Sequence, residues 1–246
     1  MFARMTGDAA AIRPTHGGAD ISALAVWIAC GVLYAVLMAM VFLAPGLLAG
    51  PGPGTELGFA EQGQNLTLFI ALLLAIWTLV RADTTPLRAW LGLIVFGLVY
   101  LLGEETSWGQ HYFGWSTGGI FERINDQGET NFHNTEGGWL DQKPRAILLL
   151  GMILGTIVHP LVRWARKGRG LFDNPWWLAP TFASLPPVVF SQLAALPKHI
   201  DKLNIFPYGL NLARWSELEE LFIYIFFITY LLSLLTRLQP GRRVAA

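Results

Sequence analysis

Charge is scarce in this chain. Only 14% of its 246 residues are Asp, Glu, Lys or Arg, against roughly 25% in an ordinary soluble domain. The 17 basic and 17 acidic residues cancel. That balance leaves no excess positive charge for a nucleic-acid partner. Cysteine is scarcer still, with Cys30 the only one. No intrachain disulfide can form, and no CxxC-type metal or redox site exists. There is no internal repeat or heptad seam, and no low-complexity tract beyond the turn-rich residues 50–55. No cleavable signal stands out. The first apolar run exceeds the roughly 7–15 residues of a signal core, so it is expected to be a retained helix.

What the chain does have is carbon. Hydrophobic residues make up 53% and the mean hydropathy is +0.45. Ten tryptophans suit a protein with two membrane interfaces to anchor. The expected class is an all-α polytopic membrane bundle, a single domain over residues 21–236 between a leader (1–20) and a tail (237–246). A spanning helix needs about 20 mostly apolar residues. Six candidates are predicted, at 21–43, 65–80, 87–109, 146–162, 176–196 and 217–236. Asp20, Asn65, Thr85 with Pro86, and Pro144 are start signals for the first four. Pro180, Pro186 and Pro187 predict a kinked or broken fifth span.

Lys and Arg set the expected orientation. Arg4, Arg13, Arg81, Arg88, Arg163, Arg166, Lys167, Arg169, Arg237, Arg242 and Arg243 fall on one side. Arg123, Lys143, Arg145, Lys198, Lys202 and Arg214 fall on the other, spread over longer loops. The positive-inside rule then places both termini in the cytoplasm.

The chemistry-bearing residues collect on the opposite side. Span three has too few apolar residues after Trp90 to cross before it meets Glu104 and Glu105. Span six reaches full length only by taking in Glu217, Glu219 and Glu220. Two carboxylate clusters thus arrive at a similar depth near one membrane face. Charges there are costly and by default mark a site with a partner. Glu219 also completes a predicted capping box with Ser216. Glu104 and Glu105 lie at a helix C-terminus, where the dipole disfavours negative charge.

Between the clusters runs the longest loop, 110–143, with the stretch INDQGETNFHNTE from Ile124 to Glu136. Unstructured loops of that length are usually functional. Glu129 and His133 are four apart, and Glu104 and His111 seven apart, so each pair shares a face if its segment is helical. The candidate catalytic residues are Glu104, Glu105, His111, Glu129 and His133. The candidate ligand-binding residues are Gln110, Asn125, Gln127, Asn131 and Asn134. These amides can equally satisfy the loop backbone or orient the carboxylates. Glu105, Glu129, His133, Glu217 and Glu220 form a candidate set of hard ligands for a divalent metal, Zn, Mg, Mn or Fe. Trp108, Tyr112 and Trp115 are read as interface anchors, and His159 as structural.

The pattern Gly103-Glu104-Glu105-x-Ser107-Trp108-Gly109-Gln110, followed by Asn125-x-Gln127-x-Glu129-x-Asn131-x-His133-Asn134, resembles a set of uncharacterised bacterial multi-pass membrane proteins. It covers about 30 residues plus the acidic start of the last span. The resemblance implies a bacterial inner-membrane protein with a periplasm-facing site, and it brings no reaction. A weaker likeness is to the seven-span hydrolases that include alkaline ceramidases, in acids and histidines placed on several helices. Their zinc-binding HxxxH pair has no counterpart here, so their metal site is not carried over.

Three functions compete. One is a metal-dependent or acid–base hydrolase or transferase acting on a lipid at the outer leaflet. The second is a non-catalytic membrane subunit or lipid-binding module, with membrane lipids and other membrane subunits as partners. The third is an ion- or proton-coupled transporter, for which repeated halves and mid-membrane charges are lacking.

Overall fold

The computed structural model describes residues 20–49, 58–125, 127–132, 139–167, 179–203 and 214–238. The described elements are helical. Among the described residues five helices are long and apolar enough to cross a membrane. They are α1 (Ala23–Leu43), α3 (Phe59–Arg81), α4 (Thr85–Glu105), the composite helix Arg145–Ala165, and α10 (Trp215–Leu238). At 1.5 Å per residue, 21 residues rise about 32 Å, close to the hydrocarbon thickness of a bilayer. A short helix α2 (Pro45–Ala49) follows α1.

Local chemistry sets the helix starts, and it moves two predicted boundaries. Ser22 caps α1, its Oγ accepting from the Ala25 N–H at 3.3 Å, while Asp20 accepts from Ile21. α3 starts at Phe59, not at Asn65, because Glu61 bonds back to the Gly58 N–H at 2.9 Å and so serves the helix start. That adds a polar first turn and a half to the span. α4 starts after Thr84 with Pro86 in its first turn, as expected. It ends at Glu105 rather than continuing to Gly109.

The composite helix holds a proline. It comprises α7 (Trp139–Ile153), a π-helical turn at Leu154–Val158, and α8 (His159–Ala165). Pro160 has no N–H, and its ring would clash with the carbonyl four residues earlier in a regular helix. The wider turn just before it accommodates the ring.

The predicted fifth span changes most. α9 occupies Leu185–Lys202 after a 3-10 turn at Phe182–Ser184. Pro186 and Pro187 lie in its first turn, where their missing N–H groups cost nothing, and Pro197 lies inside it. The helix is therefore shifted toward the chain's C-terminus and ends in Lys198, His199, Asp201 and Lys202, which lowers its hydropathy. It nonetheless lies antiparallel to α10 over most of that helix's length. Thr181 meets Ser233 at 3.2 Å at one end, and Lys198 pairs with Glu219 at the other.

α10 is the axis of the bundle. Of its spanning window 72% is buried, against 17–33% for the other four. It packs between α3 and α9, with α4 against α3. Ala71 and Ala75 on α3 and Ala194 and Ala195 on α9 are fully buried. Small residues of this kind let helix backbones approach closely where lipid removes the hydrophobic drive to associate. Leu68, Leu91, Leu98, Ile223, Leu231 and Leu234 fill the shared core. The Trp90 indole donates to Tyr230 at 2.8 Å, tying α4 to α10. Large apolar groups on the outside, such as Phe96 and Leu93, are exposed as a lipid-facing surface requires.

The close approach at Ala71 is testable. Ala71→Leu is expected to cost about 1–3 kcal/mol by overpacking. Leu93→Ala on the outer surface should stay within about 0.5 kcal/mol. Thermal melting of the detergent-solubilised protein compares the two, and equal melting temperatures would remove α10 from its role as packing axis.

Candidate functional site

α4 ends in an unusual reversal. Thr106 closes the last turn, its hydroxyl donating to Leu102 O at 2.8 Å. Ser107 (φ 47°) and Trp108 (φ 55°) then take left-handed backbone conformations, followed by Gly109 at φ 101°. Left-handed geometry costs a non-glycine residue about 1–2 kcal/mol and persists only where the surroundings hold it. Here the surroundings are identifiable. The Trp108 ring folds back onto Gly103, where an added Cβ would lie 2.9 Å from a ring carbon. Its Nε1 donates to Glu104 at 2.9 Å. The reversal starts the short helix α5 (Gln110–Phe113) and brings Ser107 beside His111, with Oγ and Nε2 at 2.9 Å.

The long loop returns onto this helix end. After a helical turn α6 (Phe121–Ile124), the Asn125 side chain organises the chain. Its Oδ1 accepts from the N–H groups of Gln127 and Glu129 at 2.9 and 3.0 Å. Its Nδ2 donates to Asn131 Oδ1 at 2.7 Å and to the Asn131 carbonyl at 3.0 Å. Gln110 clasps the loop from below, accepting from Thr130 N–H at 2.7 Å and donating to Thr117 at 2.8 Å. Glu104 completes the attachment by accepting from the Phe132 N–H at 2.7 Å.

Within this frame Glu129 is buried and triply engaged. Its Oε1 lies 3.0 Å from His111 Nε2. Its Oε2 accepts from Asn131 Nδ2 at 2.8 Å and from Ser107 Oγ at 3.2 Å. Asn131 also donates to Ser107 at 2.8 Å. Ser107, His111, Glu129 and Asn131 thus form one polar knot. Ser107 is completely buried, while the His111 and Glu129 side chains retain 11% and 9% exposure.

This is not the relay of a serine hydrolase. A relay uses both ring nitrogens, one toward the serine and one toward the acid. Here the same Nε2 meets Ser107 and Glu129. The arrangement instead sets an imidazole nitrogen against a carboxylate, with Ser107 and Asn131 fixing the carboxylate.

Several expectations are corrected by this geometry. Glu104 and His111 do not share a helical face, because the left-handed turn intervenes. Residues 127–132 are turns and not helix, with Gly128 at φ 70°, so the i,i+4 argument for Glu129 does not apply. His133 and Asn134 lie outside the described residues. Gln110, Asn125 and Asn131 serve the loop backbone and the knot. The Gln127 side chain is exposed, and its backbone N–H joins the Asn125 turn.

The remaining acids form a separate polar layer at the same end of the bundle. Glu105 accepts from the Tyr224 hydroxyl. Glu220 pairs with Arg145, Glu61 with Arg214, and Glu219 with Lys198. Glu217 lies 3.3 Å from Arg214 and accepts from Gln64 Nε2 at 3.1 Å. Gln64 also donates to the Glu217 carbonyl at 2.7 Å. Glu219 is thus committed to an ion pair and not to a cap, since α10 already begins at Trp215 and places Ser216 inside the helix.

Of the candidate metal ligands Glu105, Glu129, Glu217 and Glu220 are described, and His133 lies outside the described residues. Among the described residues no three His, Cys, Asp or Glu side chains converge as metal ligands. Glu105, Glu217 and Glu220 face helix partners of their own, and Glu129 belongs to the loop knot. The donor set is that of ion pairs and hydrogen bonds.

The sequence reading missed Ser107 as a site member, along with Gln64, Glu61 and Tyr224. Ser107 did stand inside the GEExSWGQ pattern, between two residues already singled out. Gln64 and Glu61 lay before the predicted start of their span, so nothing placed them at membrane depth. No protein-family model, curated protein or solved structure matches this chain.

Two substitutions probe the two halves of the site. Gly103→Ala should displace the Trp108 ring and release Glu104 from the loop. Faster amide exchange at residues 127–132 is expected, with no such change in Gly97→Ala, which has open space around it. Lys198→Met leaves the Glu219 carboxylate buried with Gln192 at 3.5 Å. Breaking a buried pair in this way costs about 3 kcal/mol, and Lys198→Met with Glu219→Leu together should recover much of it. Denaturation of the single and double variants measures that recovery.

Proposed function

We propose that this chain is a multi-pass membrane enzyme of the inner membrane. Its acidic end faces away from the cytoplasm, and the His111–Glu129 pair there is the acid–base group for hydrolysis or group transfer on an amphiphile. The observation that carries the reading is the single Nε2 of His111 held 3.0 Å from Glu129 and 2.9 Å from Ser107. The rare left-handed pair at Ser107 and Trp108 supports it. Stored backbone strain of this kind gathers at functional sites.

In this reading the nucleophile's proton passes to the His111–Glu129 pair as its oxygen attacks the ester carbonyl or phosphorus. The same proton returns to the leaving oxygen as that bond breaks. Ser107 and Asn131 hold the carboxylate in place and take no covalent part, in keeping with the full burial of Ser107. Glu104, Gln110 and Asn125 keep the loop on the helix end. Glu105, Glu217 and Glu220 are matched to Tyr224, Arg214 and Arg145 and support the fold around the pair. The substrate is placed at the membrane surface because Trp108, Tyr112, Phe113 and Trp115 ring the site and are exposed.

A second reading has its own observation. Phe113 and Trp115 stack at 6.0 Å with an 8° interplanar angle, and Phe113 is 80% exposed. A rigid loop presenting an apolar ridge also suits a docking module for a membrane subunit, in which the polar knot is only the support.

One assay separates the two. Purified protein in mixed micelles is offered carboxylic-ester and phosphodiester lipids. His111→Gln and Glu129→Gln are expected to lower turnover by about 100-fold or more, the usual range for acid–base groups. Ser107→Ala should cost less, and the melting temperature of His111→Gln should stay near that of wild type. Equal turnover in wild type and Glu129→Gln would sink the enzyme reading. No turnover, with a partner subunit lost on Phe113→Ser, would establish the docking module.

A further inference from the structure

The end of the bundle opposite the carboxylates carries a groove that the acid–base chemistry does not use. Its volume is about 510 Å³, and it is lined by His159, Pro160, Arg163 and Trp164 on α8 and by residues 179–182 ahead of α9.

The walls are held by specific contacts. On the helix that forms one wall, Gly155 lies directly against Pro180, where a Cβ would meet the proline ring at 2.8 Å. Only a residue without a side chain permits that approach. The opposite wall is held by α10. Buried Arg237 donates to the Ala179 carbonyl at 3.1 Å and to the Ser233 carbonyl at 3.1 Å. Thr181 and Ser233 share a hydrogen bond at 3.2 Å. The groove is therefore a fixed notch between two elements.

Its chemistry is asymmetric. The lining is mostly carbon, and among the described residues no acidic side chain lines it. Arg163 is exposed at the groove and forms no ion pair among the described residues. Arg166 and Lys167 follow within the next turn. Trp164 is 81% exposed and Phe182 63%, so aromatic and apolar surface flanks the mouth. Arg163 and Trp164 fall in the last turn of a helix long enough to span a bilayer, and the ends of such a helix meet the headgroups.

We propose that this groove binds one anionic phospholipid, with its phosphate on Arg163 and an acyl chain along the carbon walls. Basic pockets between membrane helices are complementary to anionic headgroups. A zwitterionic choline lipid would bring a second cation beside Arg163, Arg166 and Lys167. A free phosphate would leave the apolar walls unused. The site is independent of His111 and Glu129, which lie at the other end of the bundle.

Native mass spectrometry of the full chain in detergent tests this, with phosphatidylglycerol and phosphatidylcholine as probes. One phosphatidylglycerol is expected to stay bound under conditions that strip phosphatidylcholine. Arg163→Gln should weaken retention by about tenfold or more, and Arg163→Lys should keep most of it. Arg166→Gln, outside the lining, should retain the lipid. Arg163 is exposed, so the lipid-free melting temperatures of its variants should match wild type, and loss of lipid then reports on binding. Equal retention of the two lipids would overturn the site. So would equal losses in Arg163→Gln and Arg166→Gln, which would mean diffuse surface charge. Displacement of the lipid by millimolar glycerol 3-phosphate would overturn it too, since the headgroup alone would then suffice.

Discussion

The buried first turns of α10 constrain the rest of this end of the bundle. α10 is enclosed by its neighbours, and it opens with Glu217, Glu219 and Glu220. A carboxylate taken out of water is tolerable only when paired and hydrogen-bonded. Each neighbouring element accordingly supplies a partner at that depth. Lys198 comes from the end of α9, Arg145 from α7, Arg214 from the residue before α10, and Gln64 from the second turn of α3. Glu61 and Glu105 join the same layer through Arg214 and Tyr224. Such pairs contribute little net stability, but they are strict about register. A helix slid by one turn would leave several charges unmatched.

The loop knot depends on a different device. α4 cannot continue past Glu105, because Ser107 and Trp108 turn left-handed. That reversal exposes a helix end onto which residues 125 and 127–132 are bound by side chains of Glu104, Gln110, Asn125 and Asn131. Most of the polar residues that make the loop look like a binding site serve its own backbone. What is left is the His111–Glu129 pair and the two groups that fix it, Ser107 and Asn131. The same reversal places Trp108, Tyr112, Phe113 and Trp115 at the surface, so knot and aromatic ridge come from one turn.

The two ends of the bundle differ in kind. One holds paired carboxylates and the loop. The other holds Arg81, Arg88, Arg163, Arg166, Lys167 and Arg237 and, beside α8, a carbon-walled notch. Arg237 joins the two themes. It is buried, and it fixes the segment ahead of α9 to the end of α10.

By itself the sequence determined the all-helical membrane class, since apolar runs of spanning length leave the backbone no other way to satisfy its hydrogen bonds in lipid. It also determined that Glu104, Glu105 and the Glu217–Glu220 cluster lie at one end, because helix lengths alone bring them there. His111, Glu129 and Asn131 stood out by their density in one loop, and the structure brings the three together. Only the tertiary structure decided who pairs with whom. Lys198 and Glu219 are 21 residues apart and Gln64 and Glu217 are 153 apart, and no local periodicity relates such positions. It decided that Glu105 meets a phenol and that Glu219 and Glu220 meet cations. It also decided the place of Ser107, because a left-handed serine follows from the packing of Trp108 on Gly103 and not from any preference of serine. The shift of α9 has the same origin. Its prolines start a helix where the apolar run suggested the middle of a kinked span, and its basic end meets the acids of α10.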